Sequence, residues 1–147
     1  MAGKQSDSDD ISPLTGEALR ASFARQGLMT TFGATLDSIA AGQVIISAPL
    51  TPAVSQQHGA GHAGITFALG DSAAGYAALT RMPEGSEVMT VEMKINLIAP
   101  AVGQRLIATG TVEKAGRRLT VVTARVEAEA DGHRRVVALM QGTMIPV

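Results

Sequence analysis

Apolar residues recur with two different periods along the chain, and the change of period predicts the fold class. Residues 62–81 are apolar on every side of a helical wheel and contain no proline, which predicts a long helix buried all round. From residue 89 to residue 97 polar residues occupy every second position, which predicts a half-buried strand ended by Pro100. The apolar set of that strand, Met89 and Val91 included, is expected to face the helix, leaving Thr90 on the opposite face.

Shorter apolar runs predict the other elements. Strands are expected at 31–39 and 44–50, paired as a hairpin, and at 104–114, 117–130 and 133–145, with Asp131-Gly132 as a hairpin turn. A short helix beginning at Pro13 with Ser12 as its cap should end near Gly27. The expected class is α+β, with four consecutive antiparallel strands after the long helix. We divide the chain into a tail with a short helix (1–30), whose first dozen residues should fray, and a main domain (31–147).

Small residues are concentrated in the long helix. The chain holds 24 Ala and 16 Gly among 147 residues, and nine of the 17 positions from Ala63 to Leu79 are one or the other. Glycine lowers helix propensity, so the expected compensation is close contact with a sheet that curves around the helix.

Composition and charge exclude several classes of function. A formal net charge of −1 disfavours a nucleic-acid binder, and the lack of cysteine excludes a disulfide framework, a zinc ribbon and a thiol nucleophile. The chain has no run of 18 apolar residues, so no membrane span is predicted, and no signal peptide is indicated. The expected location is therefore the cytoplasm.

Asp71 is a carboxylate in the middle of the apolar helix. Burying it unpaired costs several kcal/mol or forces its pKa upward. One interpretation is a structural aspartate satisfied by backbone or hydroxyl donors. We favour a catalytic carboxylate, because a desolvated acid in a pocket is what general-base chemistry uses.

Other motifs have ordinary explanations. The stretch 59–64 matches GxGxxG but lacks the βαβ context of a dinucleotide site, so its glycines are interpreted as a tight turn. Ser72 lies inside the helix and not at a nucleophile elbow. His58 and His62 lack a third ligand, so no metal is expected, and His62 is interpreted as a hydrogen-bonding residue at the helix start.

Four motifs together resemble the hotdog-fold acyl-CoA thioesterases, and within them the phenylacetate-pathway (PaaI-like) type. They are Gln56–Gly64, Asp71, Gly75–Ala78 and Thr90–Asn96, within a resemblance that covers residues 33–145. The resemblance implies a hotdog fold, in which a curved antiparallel sheet wraps a long central helix. It also implies a homodimer with active sites at the subunit interface, often a dimer of dimers (a homotetramer). No metal and no cofactor is implied beyond the coenzyme A of the substrate.

The resemblance also implies roles for individual residues. Gln56 would position the water or the thioester, Asp71 would be the catalytic acid residue, and Thr90 would help to orient the water. The His-Gly-Gly signature falls on residues 62–64, where Ala63 departs from the pattern. Alanine keeps the backbone N–H that the family uses, and its methyl group would narrow the site.

The chemistry of the helix agrees with these roles. The helix start offers the N–H groups of Ala63 and Gly64 and the positive end of the helix dipole, which together could stabilise an oxyanion. Asp71 lies eight residues further on, about 12 Å along the axis. We therefore expect each site to combine the helix start of one subunit with Asp71 of the partner subunit.

The expected function is hydrolysis of an acyl-CoA to a carboxylic acid and coenzyme A, with Asp71 as general base or nucleophile. Arg117 and Arg118 are most simply solvated residues of a hairpin turn, and they are also candidates for binding the phosphates of coenzyme A. The alternatives are a hotdog enoyl-thioester hydratase, for which His62 would be the histidine, and a non-catalytic acyl-CoA-binding protein. The expected partners are the acyl-CoA and a second copy of the chain, without nucleic acid or membrane.

Overall fold

Two short helices open the part of the chain that the computed structural model describes, residues 11–147. Residues 1–10, most of the tail that should fray, lie outside the described residues. Helix α1 (Pro13–Ala24) begins where the sequence predicts, and the Ser12 hydroxyl caps it by accepting the Thr15 N–H at 3.1 Å. A second helix, α2 (Gly27–Thr31), was not predicted and delays the first strand by four residues.

A six-stranded antiparallel sheet and one long helix form the rest of the chain. In chain order the elements are β1 (Thr35–Ala40), β2 (Gln43–Pro49), α3 (Ala63–Leu79), β3 (Val88–Leu97), β4 (Arg105–Ala115), β5 (Thr120–Ala130) and β6 (His133–Pro146). A single 3₁₀ turn, Pro52–Val54, lies between β2 and α3. The predicted Asp131-Gly132 turn is confirmed, since both residues have positive φ angles, 50° and 78°.

The order of the strands differs from the predicted four-stranded meander. Strands β4, β5 and β6 form a meander, but β3 pairs with β6, and β4 pairs with β2, so the order is β1-β2-β4-β5-β6-β3. The meander prediction was wrong for β3 because α3 carries the chain across the concave face of the sheet before it can pair again. Strand β3 therefore forms one edge of the sheet.

A β-bulge in β3 interrupts the predicted alternation of buried and exposed residues. Thr90 pairs with Met144 while Glu92 pairs with the preceding residue of β6, so Val91 has no partner. The extra residue reverses the faces of the strand. Met89 and Val91 are consequently exposed (55% and 56%), and the prediction that they face the helix was wrong, whereas Thr90 points toward α3.

Helix α3 lies so close to the sheet that a side chain would not fit at two of the glycine positions between them. A Cβ atom placed on Gly110 of β4 would lie 2.2 Å from the backbone carbonyl carbon of Ala73. On the helix itself, a Cβ atom on Gly70 would lie 2.2 Å from the sulfur of Met140 in β6. These contacts confirm that the small residues serve close packing of the helix against the sheet.

The two halves of α3 are buried to different extents. Residues 73–79 are buried on all sides, as predicted, and α1 covers their outer face, with the Phe23 ring edge-on to Tyr76 at a centroid distance of 6.2 Å. In the first half, Ala63, Gly64 and Phe67 are exposed, so burial all round does not extend to the helix start. The single chain therefore leaves the outer face of the first two helical turns bare.

Replacing Gly110 by alanine should destabilise the fold, because the added methyl group would meet the backbone of α3, which cannot move as a flexible side chain can. We expect a loss of about 3 kcal/mol or more of unfolding free energy in urea denaturation. Gly27→Ala is the matched control, since nothing lies within 4 Å of its Cβ position, and it should change the stability by at most about 1 kcal/mol. Equal stability of the two variants would contradict the close contact.

Candidate active site

The carboxylate of Asp71 lies between α3 and the bulged part of β3. Its Oδ1 accepts a hydrogen bond from the Thr90 hydroxyl at 2.8 Å. Burial raises the pKa of the Asp71 carboxyl above its ordinary value, and the hydrogen bond from Thr90 partly opposes that rise. The site thus holds a desolvated carboxylate with one oriented hydroxyl beside it.

A pocket of about 200 Å³ opens next to this carboxylate. Asp71, Ser72 and Thr90 line it from α3 and β3, and Glu87 lies at its rim before β3. Two further polar side chains reach it from the N-terminal region, Ser22 and Gln26, and both precede residue 31. The pocket is therefore built by the N-terminal region and the main domain together.

His62 caps the start of α3, as the sequence predicts. Its Nδ1 accepts the Gly64 N–H at 2.8 Å. Gly64 suits this bond because a Cβ atom there would lie 3.0 Å from the same nitrogen. The Gly64 N–H is therefore not free, which corrects the expectation of two free donors. The Ala63 N–H, by contrast, has no acceptor among residues 11–147, and Ala63 is exposed.

Gln56 lies beside the helix start. It shares a cleft of about 470 Å³ with Ala63, Thr66 and the loop before β4. The Gln56 side-chain oxygen accepts the His58 N–H and thereby closes the turn that leads to Gly59, whose φ is +86°. This leaves the two N–H hydrogens of the Gln56 amide without an acceptor among the described residues.

The helix start and Asp71 lie in different clefts of the same chain. Ala63 and Gln56 line one cleft, whereas Asp71 and Thr90 line the other. Eight residues of helix separate Ala63 from Asp71, which is about 12 Å at 1.5 Å per residue. A single thioester carbonyl cannot contact both groups within one chain.

The remaining candidates lie outside these clefts or have ordinary partners. Arg117 and Arg118 are exposed in the turn between β4 and β5 and line neither cleft. The Ser72 hydroxyl donates to the side-chain oxygen of Gln26 at 3.4 Å, and no histidine accompanies it. Within residues 11–147 no group of three or more His, Cys, Asp or Glu residues could hold a metal ion. Nor does that part of the chain contain a helix long and apolar enough to cross a membrane.

Two pocket residues, Ser22 and Gln26, were not predicted from the sequence. The Tyr76 hydroxyl is held by the Gln26 amide nitrogen at 2.8 Å and by the Ser22 hydroxyl at 3.0 Å. The one available signal was Tyr76, because a tyrosine in a buried helix needs a partner for its hydroxyl. Nothing in the sequence shows that this partner comes from 50 residues earlier.

The sequence profile of the thioesterase superfamily matches residues 58–133, which is 76 of the 147 residues and includes His62, Asp71 and Thr90. The chain belongs to the thioesterase superfamily. Among curated proteins, one from Deinococcus radiodurans that is named "Putative esterase" is 30% identical to this chain over 100 residues. That match covers 67% of this chain, and the chain spans 64% of the length of that relative.

Solved structures agree with this family assignment. A thioesterase family protein from Silicibacter pomeroyi is 44% identical, with a TM-score of 0.88 over 90% of this chain and 98% of that one. The Escherichia coli PaaI protein of the phenylacetic acid degradation operon is 20% identical, with a TM-score of 0.83 over 94% of this chain and 96% of its own. The hotdog fold that the sequence predicted is therefore confirmed.

Asp71→Asn should stabilise the fold at neutral pH. Because burial raises the pKa of Asp71 in the folded state, its ionised form costs stability as the pH rises through that pKa. The amide should therefore raise the unfolding free energy at pH 7, and its advantage should shrink below about pH 4, where the acid is protonated in both states. Urea denaturation at both pH values measures this.

Asp37→Asn is the control for this prediction. Asp37 also accepts a threonine hydroxyl, from Thr35 at 2.6 Å, but it is exposed. We expect no gain in stability from this variant. A gain for Asp71→Asn that is the same at both pH values would contradict the assignment of the effect to ionisation.

Proposed function

We propose that this thioesterase superfamily member hydrolyses an acyl-CoA thioester to a carboxylic acid and coenzyme A. The observation that carries the proposal is the desolvated Asp71 carboxylate, held by Thr90 in a pocket, on the same helix whose first N–H has no acceptor within residues 11–147. These are the two groups that acyl transfer needs, a base or nucleophile and an oxyanion donor.

Asp71 would start the reaction in one of two ways. As a base it takes a proton from water while the water oxygen bonds to the thioester carbon. As a nucleophile its carboxylate bonds to that carbon and displaces the coenzyme A thiolate as the C–S bond breaks, and water then cleaves the resulting mixed anhydride. A single turnover in ¹⁸O-water distinguishes them, because only the second route places ¹⁸O in the Asp71 side chain when the water attacks the aspartyl carbonyl.

The Ala63 N–H would receive the negative charge that develops on the thioester oxygen. It lies at the N-terminus of the 17-residue helix α3, where the backbone dipoles add a positive potential. The tetrahedral intermediate then expels the coenzyme A thiolate. Because a thiol has a pKa of about 8.5, this leaving group departs without a strong general acid.

A dimer would bring the two half-sites together. Strand β3 is an edge of the sheet, and its exposed Met89 and Val91 make that edge apolar. Phe67 lies exposed on the bare outer face of α3, between the helix start and Asp71. We infer that a two-fold axis pairs two β3 edges and places the helix start of one protomer against Asp71 of the partner subunit.

Two neighbouring residues would complete this site. The free amide hydrogens of Gln56 lie in the same cleft as Ala63 and could hold the thioester or the water. Arg117 and Arg118, exposed and without a partner among residues 11–147, stay candidates for the phosphates of coenzyme A.

The two alternative functions have less support. A hydratase would use His62 as its base, but the Nδ1 of His62 already accepts the Gly64 N–H. A pure binding protein has no use for a carboxylate whose ionised form is penalised by burial. Either alternative predicts no release of free thiol.

Asp71→Asn should lower kcat for thiol release by about 10²-fold or more, because the amide can neither accept a proton nor attack the carbonyl. The assay measures free coenzyme A from a panel of short, medium, long and aryl acyl-CoAs, and crotonyl-CoA is followed in parallel for hydration. Asp37→Asn serves as the control. Unchanged turnover in Asp71→Asn, or hydration without thiol release, would refute the proposed function.

Ala63→Pro should remove the oxyanion donor while keeping the helix. Proline is favoured at the first position of a helix, and the preceding His62 has a ψ angle of 144°, which a residue before proline prefers. We expect kcat to fall by about 10²- to 10³-fold with little change in stability. Ala63→Gly retains the N–H and should keep most of the activity.

Mixing these two inactive variants tests the shared site. If each site combines Ala63 of one subunit with Asp71 of the other, an Ala63→Pro/Asp71→Asn heterodimer has one intact site and one doubly defective site. After denaturation and refolding together, random pairing should restore about a quarter of the wild-type activity. No restoration, with heterodimers shown by mass spectrometry, would place both groups of each site in one subunit.

A further inference from the structure

A chain of four polar side chains forms one wall of the pocket beside Asp71. The Gln26 amide nitrogen donates to the Tyr76 hydroxyl at 2.8 Å, and the Ser22 hydroxyl lies 3.0 Å from the same oxygen. At the other end, the Ser72 hydroxyl donates to the Gln26 side-chain oxygen at 3.4 Å. All four residues line the pocket that also contains Asp71 and Thr90.

Gln26 is the centre of this wall, and the local backbone does not need its side chain. Gln26 precedes α2 as the N-cap residue, but its side chain makes no capping hydrogen bond. It is instead half-buried and directed at two residues of α3, Ser72 and Tyr76. Because Tyr76 is buried (4% exposed) and packed against Phe23, its hydroxyl is a fixed partner for Gln26. The Gln26 side chain is therefore held at its nitrogen by Tyr76 and at its oxygen by Ser72.

The wall still has hydrogen-bonding capacity to offer a ligand. An amide nitrogen carries two hydrogens and a hydroxyl oxygen has two acceptor lone pairs. Tyr76 takes one hydrogen of Gln26, and Ser72 uses its own hydrogen in a long bond. The second Gln26 hydrogen and the Ser72 lone pairs have no partner among residues 11–147. An alkyl chain in this pocket would strip water from these groups without replacing its hydrogen bonds.

We propose that Gln26, with Ser72, selects a short acyl group that carries an oxygen substituent, and that the N-terminal region thereby sets the substrate specificity. The pocket in the single chain is small, about 200 Å³, which favours a short acyl group over a long one. This inference rests on the proposed function, because it takes the ligand to be the acyl part of an acyl-CoA whose carbonyl lies at Asp71.

The test compares acyl-CoAs of equal chain length that differ only in one hydroxyl group. Butyryl-CoA, 3-hydroxybutyryl-CoA and 4-hydroxybutyryl-CoA are assayed by thiol release with the wild-type protein. We expect kcat/KM for at least one hydroxylated substrate to exceed that for butyryl-CoA about tenfold or more, as one added hydrogen bond would give.

Two variants then assign the preference to the wall. Gln26→Ala should bring the ratio of kcat/KM for the hydroxylated substrate to kcat/KM for butyryl-CoA close to one. Tyr76→Phe keeps the ring but removes the hydroxyl that holds Gln26, and it should also lower this ratio. Arg25→Ala is the control, because Arg25 is exposed beside Gln26 and lines neither cleft, and both rates should stay unchanged. If Gln26→Ala does not fold, Tyr76→Phe decides the question.

A wild-type protein that does not prefer either hydroxylated substrate would overturn the inference, and so would a preference that survives in the variants. A wild-type protein that releases no thiol from any acyl-CoA would instead refute the proposed function. In that case the dissociation constants of the same three compounds, measured by calorimetry, give the ratio on which the inference is judged.

Discussion

The backbone of α3 rests on the backbone of β4 at Gly110, and this contact fixes how deeply the helix lies in the sheet. Any side chain at Gly110 would push Ala73 outward. Because Asp71 lies two residues before Ala73, the same contact determines how far its carboxylate is drawn from water. The desolvation that raises the pKa of Asp71 thus depends on a strand residue that has no chemical function of its own.

The bulge in β3 is the second element on which the site depends. Without the extra residue at Val91, regular alternation could not place both Thr90 and Met93 on the helix side of the strand. The bulge turns the Thr90 hydroxyl toward Asp71 and turns Met89 and Val91 outward. One irregularity in one strand therefore supplies a hydrogen bond to the carboxylate and makes the edge of the sheet apolar.

The sequence predicted the elements well and their arrangement less well. The long helix, its His62 cap, five of the six strands within a few residues and the separation of Asp71 from the helix start could be read from periodicity and helix geometry. The position of β3 at the far edge could not, because pairing with β6 or with β4 satisfies the same alternation. The bulge was equally invisible, since one unpaired residue leaves no mark in an apolar pattern. The pocket wall around Gln26 could not be predicted either, because it depends on a hydrogen bond between Gln26 and Tyr76, which lie 50 positions apart.

The unpaired edge of β3 has a consequence for the protein at low concentration. In the proposed dimer every working site needs two chains, so a newly made, isolated chain carries only half-sites. Such a chain could not hydrolyse the acyl-CoA pool on which other enzymes draw until enough copies had accumulated to meet. Specific activity should then depend on dilution, and the amount of enzyme in the cell would set both the number of sites and the fraction that is assembled.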